Sequence, residues 1–187
     1  MGFWDALRGR APAKAANLDS LFMIPSAAIT LETAAGLKPT GVGAVCFRAA
    51  EGAAFSDTQA EIVALLDADD DGPDVESTVD DFGFTWLVAR QDDMSVLCTD
   101  LHTVNTSLEE QGFGSGLLCS IVTFQDSAGR KVGLVYLYKQ GTFYPFAPSG
   151  TRRDNLLELQ VRDHLSGELP MEPDLNRWLA VWGAPGL

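Results

Sequence analysis

Apolar positions recur along the chain in two rhythms, one helical and one alternating. Met94, Leu97, Cys98, Leu101, Val104 and Leu108 fall three or four residues apart, marking one face of a helix from about Asp93 to Gln111. Asp92 or Asp93 supplies an N-cap and Gly112 a stop. A second helix is predicted from Asp154 to Leu165, with Leu157, Val161 and Leu165 inward and Gly167 beyond its end. Pro25-Ser26 before an alanine-rich run ending at Gly36 predicts a third, with Ser26 as N-cap. Ile29 and Leu31 alternate within it, which leaves a strand open for that segment. Ser56-Asp57-Thr58-Gln59 has the form of a capping box, with Phe55 and Ala60 as a staple, and opens a helix through Ile62, Leu65 and Leu66. Pro173 is expected to open a short terminal helix carrying Trp178 and Trp182.

Strands are predicted at residues 43–48, at 75–79 and 84–90 around a turn at Asp80-Asp81-Phe82-Gly83, at 117–124 and 131–138 around a hairpin link, and at Thr142–Phe146. The elements together predict an α+β fold, an antiparallel sheet with helices packed on one side. A helix, Gly36 and the strand of Cys46 echo a helix, Gly112 and the strand of Cys119. This suggests two related α-β-β-β halves, 18–90 and 91–187, of one α+β domain, in a layout like that of secretion chaperones. Residues 1–17 stand apart as a basic amphipathic arm and linker.

Charge and composition narrow the classes of function. The net charge of −13 argues against nucleic acid, which requires a basic footprint. Within residues 1–14, Arg8, Arg10 and Lys14 oppose only Asp5, a local +2 that leaves −15 for the remainder. Phe3, Trp4 and Leu7 share a helical face beside these cations, a composition suited to shallow insertion at an anionic membrane surface or to a protein partner. There is no apolar run of about 18 residues or more, and the start lacks the order of a secretion signal, so a cytoplasmic location is expected. Cys46, Cys98 and Cys119 are few, widely spaced and set in apolar surroundings, the pattern of reduced buried thiols.

Three local patterns carry candidate chemistry. Asp67, Asp69 and Asp71 precede Gly72 at alternate positions, as in the first half of a calcium loop, but the twelfth position is Thr78 where a bidentate Glu is needed. Cys98 and His102 are one helical turn apart, with Cys119 on the next strand, so a zinc site or a Cys-His dyad is conceivable beside the plainer reading of core residues. With two histidines in the chain, a catalytic triad has few members to draw on, and no cofactor is expected. Phe143, Tyr144, Pro145, Phe146 and Pro148 form an aromatic, proline-bearing strand. Proline donates no ladder hydrogen bond, so the strand belongs at a sheet edge, where a partner segment could dock. An open edge is also a route to a homodimer.

Several segments resemble the PspA-associated protein family PspAB. They are Met1-Gly2-Phe3-Trp4-Asp5-Ala6-Leu7, Ala44-Val45-Cys46-Phe47, Leu108-Glu109-Glu110-Gln111-Gly112-Phe113-Gly114, Gly141-Thr142-Phe143-Tyr144-Pro145-Phe146-Ala147-Pro148 and Arg152-Arg153-Asp154-Asn155. Gly167-Glu168-Leu169-Pro170-Met171-Glu172-Pro173-Asp174 and Trp182-Gly183 extend the resemblance over nearly the whole chain. It implies a place beside a PspA-type protein or a membrane protease complex, at the inner membrane face in an envelope-stress response. It brings no catalytic residues.

The expected function is that of a non-enzymatic adaptor or regulator, binding through Phe3, Trp4, Leu7 and Arg8 of the arm and through the 143–148 edge. Two other readings stay open: a metal-dependent protein or enzyme using Cys98, His102 or the acidic loop, and a chaperone-like binder of extended segments.

Overall fold

The computed structural model describes residues 18–68 and 73–187. The arm residues Phe3, Trp4, Leu7 and Arg8, and the loop residues Asp69 and Asp71, lie outside them. Helices α1 (Ile24–Ala35), α2 (Ala53–Leu66), α3 (Met94–Glu110) and α4 (Asn155–Leu165), with a two-residue pair, Pro148–Ser149 with Arg152–Arg153, accompany the six strands of the main sheet. These are β1 (Lys38–Phe47), β2 (Glu76–Val79), β3 (Thr85–Arg90), β4 (Leu117–Gln125), β5 (Lys131–Leu137) and β6 (Thr142–Phe146). They form one antiparallel sheet in the order β2-β3-β1-β4-β5-β6, so the fold is α+β as its residue patterns predict.

The inner face carries the main core. Val45, Phe47, Leu87, Val122, Phe124 and Leu134 of the sheet meet Leu31, Ile62, Leu101 and Val161 of the four helices. Gly43 lets α3 lie close: a Cβ there would stand 3.1 Å from both Leu97 Cδ1 and Leu101 Cδ1. The α3 start follows the sequence. Asp93 Oδ1 accepts from the backbone N–H of Ser95 at 2.7 Å and of Val96 at 3.2 Å, satisfying two donors that a helix start leaves unpaired.

Two other helix starts differ from expectation. Ser26 is not the N-cap of α1. A 3-10 turn, Leu18–Met23, runs straight into a helix that begins at Ile24, and Ser26 Oγ donates instead to Glu168 Oε2 at 3.3 Å. Likewise the Ser56–Gln59 box lies inside α2, which starts after Gly52. The cause is tertiary. Phe55 is buried against Phe47 and Phe113, with ring centroids at 5.8 and 5.0 Å, and this contact draws residues 53–55 into the helix.

The second half runs α3-β4-β5-β6, as expected. In the first half α2 lies between β1 and β2, where the sequence places a helix, and it is β3 that pairs with β1. The halves meet along the central β1–β4 pair.

The outer face is covered too, by the C-terminal segment together with Leu159 of α4. Ala44, Cys46, Trp86, Ile121, Val135 and Tyr144 cluster there with Trp178 and Ala184 of the C-terminal segment. The predicted terminal helix is reduced to a 3-10 turn, Leu175–Arg177. Beyond it Gly183 at φ 72° and Gly186 at φ 87° hold backbone that a helix cannot use, with Pro185 between them. Trp178 stacks on Tyr144 with centroids 6.1 Å apart and donates Nε1–H to Glu172 O at 3.0 Å. Trp182 meets Phe146 edge-on at 5.0 Å. The tail is thus a strap laid across the sheet.

Candidate functional site

The strap leaves part of the outer face uncovered. Between tail residues 179–182 and the tip of the β2–β3 hairpin lies a cleft of about 270 Å³, lined almost wholly by apolar groups. Its floor comprises Cys46, Cys119, Trp86 and Tyr144, and its walls include Phe82 and Leu179. Phe82 is 71% exposed and Leu179 63%. Two large apolar side chains thus stand in water beside a mostly apolar cleft.

The hairpin tip is built by Asp80. Its Oδ1 accepts from the backbone N–H of Phe82 at 3.0 Å and of Phe84 at 2.9 Å, while Oδ2 accepts Trp86 Nε1–H at 2.9 Å. Gly83, at φ 81°, takes the left-handed position that such a turn requires. Desolvation raises the Asp80 carboxyl, but the hydrogen bonds from Trp86, Phe84, Phe82 and Gly83 together bring it below its ordinary value. A carboxyl held down in the folded state stabilises the fold above its unfolded pKa, and that stabilisation is lost as pH falls through the folded value. Asp80→Ala is therefore expected to cost about 1–2 kcal/mol at neutral pH. The difference from the wild type should shrink in acid, below about pH 4. Urea unfolding across that range measures it; a cost independent of pH would refute this role.

The cleft was not apparent from the sequence. Phe82, Phe84 and Trp86 do alternate, which hints at a shared face. The Cys46–Cys119 contact comes from the β1–β4 register, which joins segments far apart in sequence. A bulge sharpens it: Cys46 faces Cys119 and Phe47 faces Leu117, so Leu118 is the extra residue and both Leu118 and Cys119 turn to the outer face.

The expected docking strand is at the sheet edge, but it is not open. Phe143 N–H donates to Pro170 O at 2.9 Å and Glu172 N–H to Phe143 O at 2.7 Å, with Phe143 bridged to Met171 in parallel. The chain has already added its own segment there. Phe143, Tyr144, Pro145 and Phe146 are buried and Pro148 half-buried. Phe143 fills the inner core, whereas Tyr144 and Phe146 belong to the outer face. Of the five, Tyr144 alone lines the cleft, its hydroxyl donating to Leu179 O at 2.9 Å.

Cys98 and His102 do not form a site with Cys119. Cys98 is wholly buried on the inner side of the sheet and Cys119 faces outward. Burial, with the Asp93 carboxylate adding to it, pushes the Cys98 thiol up to about 12, the reverse of nucleophile activation. His102 packs against Phe22, ring centroids 4.9 Å apart. Among the described residues no three His, Cys, Asp or Glu side chains converge as metal ligands. Asp67 Oδ1 accepts Val75 N–H at 2.7 Å, tying the two sides of the acidic loop together.

The chain is thus an α+β protein with one coated sheet and an apolar surface cleft, and among the described residues no helix is long and apolar enough to cross a membrane. The family described as PspA associated protein B, PspAB, matches residues 1–186, and the chain belongs to that family. No curated protein and no solved structure matches it.

Proposed function

We propose that the chain is a non-enzymatic adaptor or regulator of a PspA-type protein, and that the outer-face cleft is where it docks. The family supports the association with PspA. The observation that carries the docking surface is the pair Phe82 and Leu179, both exposed and both lining one apolar cleft, the first from the β2–β3 turn and the second from the C-terminal segment. Its partner is a helical segment that seats an apolar side chain between them. Asp80 and Asp81 at the hairpin tip favour a helix with basic flanks. The basic arm, with Phe3, Trp4, Leu7 and Arg8, adds contact with that partner or with the anionic inner face of the membrane. The protein works in the cytoplasm, peripheral to that surface.

The double variant Phe82→Ser, Leu179→Ser tests this reading. Both side chains are largely in water, so the unfolding midpoint should stay near the wild type. Recovery of the PspA-type protein in a pull-down should fall about tenfold or more, as loss of interface anchors does. Undiminished recovery with the fold intact would remove the cleft from the proposal. Deleting residues 1–14 in parallel, with anionic vesicles as bait, separates the arm from the cleft.

A further inference from the structure

Cys46 and Cys119 stand directly opposite one another at the centre of the sheet. Residues so placed on antiparallel strands have Cα atoms about 4.5–5.5 Å apart, within the span a disulfide accepts. Both side chains line the cleft, which gives a small solute access to the pair. The third cysteine lies behind the sheet in the inner core. Cys119 is 8% exposed and Cys46 3%, so the pair is approached from the Cys119 side.

We propose that Cys46 and Cys119 form an oxidation site, at which hydrogen peroxide drives a disulfide across the cleft floor. Cys119 is the attacking sulfur. Its thiolate displaces hydroxide from peroxide, breaking the O–O bond and leaving a sulfenic acid. The Cys46 sulfur then attacks the Cys119 sulfur. The S–S bond forms, the S–O bond breaks, and the departing hydroxide leaves as water with the Cys46 proton. Two thiols are oxidised by two electrons and one peroxide is reduced to two waters.

This site stands apart from the partner reading: mass reads the bond and pull-down reads the partner, so either can fail alone. The full folded chain is treated with hydrogen peroxide, quenched, alkylated in denaturant and mapped by mass spectrometry. The expected product has lost two hydrogens, yields one bridged peptide joining Cys46 to Cys119, leaves Cys98 as an alkylated thiol and is reversed by dithiothreitol. In Cys46→Ser, dimedone should trap Cys119 as the sulfenic acid. Recovery of both Cys46 and Cys119 as free thiols, passage of Cys119 to sulfinic acid without bridging, or bridging to Cys98 would each overturn the proposal. The wild-type map decides the matter even where the serine variant folds poorly.

Discussion

Glu158→Ala is expected to destabilise the protein by about 3–5 kcal/mol, the cost of removing one partner from a buried ion pair. The Glu158 side chain is 3% exposed and accepts three hydrogen bonds. Arg153 Nε donates to both carboxylate oxygens, at 2.9 and 3.2 Å, and Ala147 N–H donates at 2.9 Å. Arg153 is held on its other sides by the Phe146 ring, 5.1 Å from its guanidinium carbon, and by Trp178 O, which accepts from Nη1. The alanine variant leaves that guanidinium partly buried without its counter-charge and the Ala147 N–H without an acceptor. Denaturant unfolding measures the loss. Arg153→Met combined with Glu158→Leu should recover much of it, because a hydrophobic pair avoids the desolvation cost. A loss below about 1 kcal/mol for Glu158→Ala would show the pair to be no more than a surface ion pair in effect.

Trp178→Ala is expected to cost about 3–5 kcal/mol, as deletion of a large buried aromatic does. The ring is 6% exposed, stacked on Tyr144 and hydrogen-bonded through Nε1. The effect should also be local. With the strap released, Tyr144 and Val135 gain access to water, and binding of an environment-sensitive apolar dye should rise before global unfolding. Trp178→Phe keeps a stacked ring but loses the hydrogen bond and part of the ring volume, so its cost should fall below that of the alanine variant, at about 1–3 kcal/mol. Equal losses for the two variants would place the energy in the Nε1–H bond, not in the stack.

What could be read from sequence follows how local each cause is. Helix α3 was legible because its stripe and its cap, Asp93, lie within one element. The edge position of β6 was legible because Pro145 lacks a donor. The starts of α1 and α2 were not, because a preceding turn and the burial of Phe55 outweigh local capping signals. The burial of the 143–146 aromatics was not legible for a related reason. Alternation tells which residues share a face, but it does not tell that both faces are covered. The strap has no periodic pattern, and its path is set by the sheet it lands on. The cleft exists only as the remainder of that covering, so no single segment announces it.

The segment bonded along β6 has a consequence for how copies of this protein can associate. Met171 and its neighbours occupy that edge, whereas among the described residues β2 pairs only with β3. Among the described residues the sheet therefore offers one unpaired edge, that of β2. The backbone contact that occupies the β6 edge thus also shields that edge from strand addition, the step by which open sheets join into fibres.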